Sequence, residues 1–137
     1  MISENFSNEE KLQNKMDLES SIALINQFQN SFPVVTPKQI KKNTFPESNL
    51  SRKHVMEILF PDVGKPYVVK GYNKTHAKKL KLLRDSGILV RIPDVDNNPE
   101  SRYYLNKKRL VLILKNIEKK IKKINSINLK QHDYYFQ

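Results

Sequence analysis

Few side chains in this sequence have the types and spacing that catalysis or metal binding requires. The chain has no cysteine, which excludes disulfides, thiolate metal sites and cysteine nucleophiles. Imidazole is supplied by three residues, His54, His76 and His132. None has a second ligand at helical spacing, so we expect no metal site and no cofactor. The closest carboxylates, Asp94, Asp96 and Glu100, lie in a proline-containing turn that would hold them poorly for acid–base work, and we expect no enzymatic activity.

Basic side chains are more informative, because they are unevenly distributed. The 137-residue chain carries a formal charge of +11, from 25 Lys and Arg against 14 Asp and Glu. Residues 70–91 contain seven basic residues opposed only by Asp85, and residues 107–123 contain eight opposed only by Glu118. Residues 1–32, by contrast, are acidic. This asymmetry predicts a polyanionic partner, although a Lys-rich surface can also be merely solvated.

The chain lacks the sequence patterns of membrane and secreted proteins. No apolar run approaches the roughly 20 residues that a membrane-spanning helix needs. The N-terminus has no basic segment followed by an apolar one, as a signal peptide would have. We therefore expect a cytoplasmic protein, associated with the nucleoid, that has no membrane partner.

Local start and stop signals predict helices along the first 60 residues. Apolar residues at helical intervals indicate a helix within residues 8–30. A second, short helix should begin at Thr36, because a proline follows this capping threonine and a glutamine lies three residues after it. Ser48, Asn49 and Ser51 are alternative caps for a third helix, which Pro61 ends. Residues 67–69 are suited to a brief strand.

The stretch from residue 73 to residue 105 changes from helical to β periodicity. Asn73 can cap a helix, and Gly87 stands where a left-handed C-terminal cap belongs. The inward positions of this helix are Ala77, Leu80 and Leu83. Residues 88–92 and 102–105 are β-rich and flank a polar turn, so we predict a hairpin with a mobile tip.

The last predicted element is a basic helix over about residues 107–125, followed by a frayed tail. Five of its apolar residues recur at the 4-3-4-3 spacing of a heptad seam: Leu110, Leu114, Ile117, Ile121 and Ile124. The seam can pack on the N-terminal helix of the same chain or pair with a second copy, and we favour a homodimer. The expected organisation is an N-terminal helical segment (1–32), a central domain (33–106) and this C-terminal helix (107–137).

Residues 79–89, KLKLLRDSGIL, resemble the end of the recognition helix in winged-helix regulators of the arsenic-repressor and multiple-antibiotic-resistance-repressor superfamilies. The shared pattern is a basic residue, paired leucines, a charged pair, a small residue, glycine and two aliphatic residues. Residues 91–105 resemble the wing of those proteins. The resemblance covers residues 73–105 and implies an α+β, mostly α fold. This fold is a winged helix-turn-helix with a recognition helix at about 73–86, a two-stranded wing at about 88–105 and extra N- and C-terminal helices.

A recognition helix of this kind enters the major groove of DNA with its N-terminal half nearest the base edges. The residues that we assign to the groove are Asn73, Lys74, Thr75 and Lys78, and those assigned to phosphate are Lys79 and Lys81. In the wing, the predicted contacts are Arg91 and Arg102 to the DNA backbone and Asn97 and Asn98 to the minor groove.

Two features leave the identity of the helix-turn-helix pair open. Residues 61–72 have no helical pattern, so the supporting helix expected directly before the recognition helix is not evident. Residues 36–60 offer a rival pair, whose DNA-facing residues would be Ser51, Arg52, Lys53 and His54. We favour the later helix because it is more basic and only it is followed by a wing. The thiolate metal-sensing residues of the resembling families have no counterpart here.

The sequence thus predicts a protein that binds double-stranded DNA sequence-specifically, as a dimeric transcriptional regulator. A plasmid, viral or chromosomal protein of replication, partition or DNA organisation would use the same module and is an alternative. A winged-helix adaptor, which binds a protein partner, is another. RNA binding is disfavoured because a major-groove helix cannot enter A-form RNA.

Overall fold

The computed structural model describes the backbone of residues 8–64 and 74–136, and within these ranges the side chains up to residue 124 except that of Asn14. Five α-helices lie in these ranges: α1 (Asn8–Gln27), α2 (Pro37–Lys42), α3 (Arg52–Leu59), α4 (Lys74–Asp85) and α5 (Lys107–Phe136). Three strands accompany them: β1 (Val34–Val35), β2 (Leu89–Ile92) and β3 (Arg102–Asn106). Short 3-10 turns follow α1 at Gln29–Ser31 and α3 at Pro61–Val63. This mostly helical α+β composition agrees with the prediction.

The ends of the two short helices follow from local chemistry that the sequence predicts. Thr36 Oγ1 accepts a hydrogen bond from the backbone nitrogen of Gln39 at 3.1 Å, and Gln39 Oε1 accepts one from the backbone nitrogen of Thr36 at 2.9 Å. This capping box begins α2. Asn43 ends α2 in the left-handed conformation, with φ of 54°. Ser51 caps α3, and Pro61 follows the end of that helix.

The sheet has the strand order β1-β3-β2. Strands β2 and β3 form the predicted antiparallel hairpin. Strand β1 pairs in parallel with β3, with Val34 opposite Leu105. It was not predicted, because two residues cannot show an alternating pattern. An antiparallel bridge joins Leu50 to Tyr103, so the residues just before α3 are also tied to β3.

The core lies where α1, α3, α4, the sheet and the start of α5 meet. Fully or almost fully buried residues from these elements are Ile25, Val55, Leu59, Leu83, Leu105 and Leu110. Helix α1 packs along α4. Of the predicted inward positions of α4, Leu80 and Leu83 are buried, whereas Ala77 is half-buried at the edge. The core therefore fixes which side of α4 remains in solvent.

Helix α5 begins as predicted but is longer than predicted. Asn106 Oδ1 accepts a hydrogen bond from the backbone nitrogen of Arg109 at 3.2 Å, which caps the first turn. The helix continues to Phe136, so the expected end near residue 125 was wrong. The reason is that residues 107–136 contain no proline or glycine that would end a helix.

The heptad seam of α5 is divided between the core and the surface. Leu110 is fully buried, and Leu114 and Ile117 pack against the core. Ile121 and Ile124 remain 53 % and 56 % exposed. The first part of the predicted dimerisation seam therefore packs within its own chain.

Two predicted features lie outside the described residues: the strand at 67–69, and Asn73 with its capping and groove contacts. In the part of the chain that is described, no helix has the length and apolar content to cross a membrane.

Candidate nucleic-acid interface

A cleft of about 1250 Å³ lies between the N-terminus of α3, the outer side of α4 and the β2–β3 hairpin. We call it the helix–hairpin cleft. Its lining includes Arg52 and Lys53 from α3, Ala77 and Lys81 from α4, and Asn97 and Asn98 from the hairpin. In all, five lining side chains are cationic and three are carboxylates. The cleft is thus moderately basic, and its charge depends on which of these groups pair with each other.

The first turn of α3 supplies two exposed cations to the cleft, Arg52 and Lys53. Ser51 fixes this turn, since its Oγ accepts a hydrogen bond from the backbone nitrogen of His54 at 3.4 Å and lies 3.0 Å from His54 Nδ1. The N-terminus of a helix also carries partial positive charge. Residues that belonged to the rival helix-turn-helix therefore face the same cleft as α4.

Helix α4 has one side in the core and another in solvent. Its exposed residues include Lys74, Thr75, Lys78 and Lys81, all of which were predicted DNA contacts. At about 100° per residue, the three lysines of this set fall within about 60° of one another around the helix. Lys79, which was assigned to phosphate, is half-buried. The sequence pattern therefore located the exposed side of α4 but not the position of each lysine.

Lys78 is engaged by α1. Its Nζ lies 2.8 Å from Oδ2 of Asp17, whose side chain is only 17 % exposed. The hydrogen bond from Lys78, followed by one from Gln13, lowers the pKa of Asp17 below its ordinary value of 3.8. Binding Lys78 to a phosphate would leave a partly buried carboxylate without this partner. We therefore assign Lys78 to holding α1 against α4 and not to DNA.

Two arginines hold the tip of the hairpin, Arg91 from β2 and Arg84 from α4. Arg91 donates from Nε and Nη2 to Asp94 Oδ1 at 3.0 and 2.8 Å, and from Nη1 to Asp96 Oδ1 at 3.0 Å. Arg84 of α4 forms longer ion pairs with the same two carboxylates, at 3.9 and 3.7 Å. The hydrogen bond from Arg91 also lowers the pKa of Asp96. Since the Arg91 side chain is only 10 % exposed, its role is to position the hairpin tip.

Other predicted hairpin contacts are also used within the tip. Arg102 Nη1 donates to the backbone carbonyl of Ser101 at 3.0 Å. Asn98 Oδ1 accepts from the backbone nitrogen of Glu100 at 2.9 Å. Asn97 is exposed, has a positive φ of 61°, and forms no side-chain hydrogen bond with a described residue. These hydrogen bonds and ion pairs connect residues within the tip, and Asn97 is its most available predicted contact.

His76, near the start of α4, stacks on Phe60 at the end of α3. This contact joins the two helices. The ring centroids lie 3.7 Å apart, and the planes are inclined by 10°. Burial lowers the pKa of His76 below its ordinary value of 6.5, and the positive charge of Lys79 lowers it further. The stack therefore favours neutral imidazole and fixes the geometry of the two helices on either side of their connection.

The principal feature that the sequence missed is the shared position of α3 and α4 on one cleft. The local signal was present, because Arg52 and Lys53 directly follow a capping serine. Their nearness to Lys81 is tertiary and has no sequence signal. Among the described residues, no group of three or more His, Asp or Glu side chains is arranged to hold a metal ion.

Comparison with known proteins identifies no family, since no family model, no curated protein and no solved structure matches the chain.

Proposed function

We propose that this protein binds duplex DNA through a winged helix-turn-helix and acts as a dimeric transcriptional regulator. The observation that carries the proposal is the helix–hairpin cleft, in which Lys81 on the exposed side of α4 lies beside the first turn of α3 and the hairpin. In this assignment α3 is the supporting helix, α4 is the recognition helix, and the β2–β3 hairpin is the wing.

The dimensions and the available side chains support this assignment. The major groove is about 12 Å wide, and an α-helix with its side chains is about 10–12 Å across. Lys74 and Thr75, in the first turn of α4, would meet base edges. Lys81, Arg52 and Lys53 would meet phosphates on the two sides of the groove. Each of these contacts lies on an exposed part of the described surface.

The pairing of charges within the cleft also supports it. Asp94 and Asp96 are already paired with Arg91 and Arg84. By contrast, Arg52, Lys53 and Lys81 form no ion pair with a described residue. The cations that remain available to a phosphate backbone therefore come from the two helices.

We further propose that the protein forms a homodimer through the C-terminal half of α5. Ile121 and Ile124 continue the apolar stripe of Leu114 and Ile117 but are half-exposed. A second copy of the same helix would cover them by heptad pairing. In a symmetric dimer, the two recognition helices would bind half-sites about one helical turn, or about 34–36 Å, apart.

The test is selection from a randomised duplex pool, followed by measurement of the affinity for the enriched sequence. The variant Lys74→Glu/Lys81→Glu reverses two charges on the exposed side of α4 without disturbing the Lys78–Asp17 pair. Its control, Lys38→Glu/Lys41→Glu, makes the same change in charge on exposed residues of α2. Both variants are first compared with the wild type by circular dichroism and thermal unfolding.

Enrichment of an inverted repeat, lost in the α4 variant and kept in the α2 control, would support a dimeric regulator. Equal binding of both variants to that repeat would contradict α4 as the recognition helix. Retention of DNA without an enriched sequence would favour a replication or architectural protein. No retention by the wild type would refute DNA binding and favour a protein adaptor.

A further inference from the structure

The side of α5 that faces away from the core is a second basic surface. We define the outer face of α5 by five exposed lysines, Lys108, Lys115, Lys119, Lys122 and Lys123. At about 100° per residue they fall within about 100° of one another around the helix, and they extend over about 22 Å along it. The opposite side carries Leu110, Leu114 and Ile117, which pack in or against the core. The core side of the helix is therefore apolar and the outer side mainly cationic, although the exposed Leu112 lies among the lysines.

Little in the described structure neutralises this face. Glu118 is the one acidic residue between residues 107 and 124, and it pairs with Lys122 at 3.3 Å. The other four lysines form no ion pair with a described residue. Lys115, Lys119 and Lys123 follow one another at four-residue intervals, where like charges destabilise a helix. An anion bound along the face would relieve this repulsion.

The outer face has a fixed orientation because the start of α5 is anchored. Arg109 Nε donates to the backbone carbonyl of Ser86, just beyond the end of α4, at 2.9 Å. Asn106 caps the first turn, and Leu110 is fully buried. Lys108 and Lys115 therefore lie on the part of α5 that packs on the core, and Lys119, Lys122 and Lys123 continue the row on the same helix beyond Ile117.

We propose that the outer face of α5 binds the phosphate backbone of duplex DNA independently of sequence. Lysine ammonium groups are point charges that contact phosphate without recognising bases. Each strand of the duplex presents a phosphate about every 3.4 Å, so a row of about 22 Å meets several of them. A membrane surface fits less well, because an interfacial helix inserts its apolar side, and that side is packed on the core as far as Ile117. This surface acts whether or not α4 recognises bases.

The test removes charge from the outer face of the full-length protein. The variant Lys115→Gln/Lys119→Gln/Lys123→Gln keeps good helix formers at the three positions. The control, Lys38→Gln/Lys41→Gln/Lys42→Gln, removes the same charge from exposed residues of α2. Circular dichroism and thermal unfolding verify that both variants fold. Fluorescence anisotropy then measures their affinity for an arbitrary duplex of about 30 base pairs at about 50 to 200 mM salt.

If each lysine contacts one phosphate, the slope of log affinity against log salt should become shallower by about 2.7, since each lost contact contributes about 0.9. The α2 control should keep the wild-type slope. Equal slopes for the α5 variant and the wild type, or equal losses in variant and control, would overturn the proposal. Binding to phosphatidylserine vesicles that depends on these lysines, with an unchanged DNA slope, would also overturn it in favour of a membrane surface.

The same assays separate this proposal from the role of α4. Sequence preference that survives in the α5 variant and disappears in Lys74→Glu/Lys81→Glu is expected if both proposals hold. A shallower slope in the α5 variant, with wild-type binding by the α4 variant, would leave the outer face of α5 as the DNA surface and refute α4 as the recognition helix. A wild-type slope in the α5 variant, together with lost binding by the α4 variant, would retain α4 as the recognition helix and refute DNA binding by the outer face of α5.

Discussion

The heptad seam of α5 is buried at its start and exposed at its end, so substitutions at the two ends should have different consequences. Leu110 is fully buried, whereas Ile121 and Ile124 are 53 % and 56 % exposed. We predict that Leu110→Ala greatly destabilises the protomer. We predict that Ile121→Asp/Ile124→Asp instead abolishes the homodimer while the protomer remains folded.

The expected magnitudes follow from burial. Truncating a buried leucine to alanine costs about 2.7–5 kcal/mol, because the lost transfer energy is increased by the cavity that remains. Since the anchored start of α5 cannot easily collapse around Leu110, we expect a loss of about 3–4 kcal/mol. This is a large share of the about 5–15 kcal/mol by which a domain is usually stable. More than half of the Ile121 side chain is already in water, so its replacement should cost the protomer about 1 kcal/mol or less.

Urea unfolding at about 1 µM and about 50 µM protein, together with sedimentation velocity, distinguishes the two effects. The wild-type midpoint should rise with concentration, that of Ile121→Asp/Ile124→Asp should not, and that of Leu110→Ala should be lower at both concentrations. Asn116→Asp, elsewhere on the helix surface, controls for an added aspartate. If Ile121→Asp/Ile124→Asp sediments at the same rate as the wild type, the proposed dimer interface is refuted. A loss below about 1 kcal/mol for Leu110→Ala would refute the core assignment.

Contacts elsewhere in the fold make three further predictions. Gly87 has a φ of 81°, so Gly87→Ala should lower the free energy of unfolding by about 1–2 kcal/mol in urea titrations, and an unchanged value would contradict the left-handed cap. Because burial lowers the pKa of His76 below the unfolded value of 6.5, stability should be lost as the pH falls through 6.5 towards the folded pKa. The Tm of His76→Phe should fall less than that of the wild type between about pH 7.5 and about pH 5. An equal fall would show that protonation of His76 does not cause the loss of stability. A double-mutant cycle of Asp17→Asn and Lys78→Gln should give a coupling free energy of about 0.2–1 kcal/mol. This coupling should disappear as the pH drops through the lowered pKa of Asp17. Additive effects of the two substitutions at neutral pH would contradict the ion pair.

The features that the sequence predicted well are those set by residues close together in the chain. The capping box at Thr36, the cap at Ser51 and the left-handed Gly87 each depend on groups within a few residues. The hairpin also followed from neighbouring β-rich segments around a polar turn. Local chemistry of this kind leaves a pattern in the sequence, because the partners have a fixed spacing.

The features that were missed depend on partners far apart in the chain. The pairing of Lys78 with Asp17 joins α4 to α1, and no spacing rule connects them. The same exposed lysine pattern on α4 fits a DNA contact and an interhelical ion pair, so only the fold separates the two. Arg91 was assigned to DNA because it flanks a predicted wing. The conformation of the tip instead brings Asp94 and Asp96 onto its guanidinium.

The two candidate helix-turn-helix pairs share helix α3. This helix is the second member of the pair within residues 36–60, and it is also the described α-helix that precedes α4 in the chain. Its first turn and Lys81 of α4 line one cleft, so a molecule bound there would meet both Arg52 and Lys81 in either assignment. In the hairpin, Arg91 is paired with Asp94 and Asp96, and Arg102 donates to backbone carbonyls, so the hairpin contributes shape to the cleft more than charge. Any polyanion held in this cleft must be attracted by α3 and α4 together, and a substitution on either helix should weaken its binding.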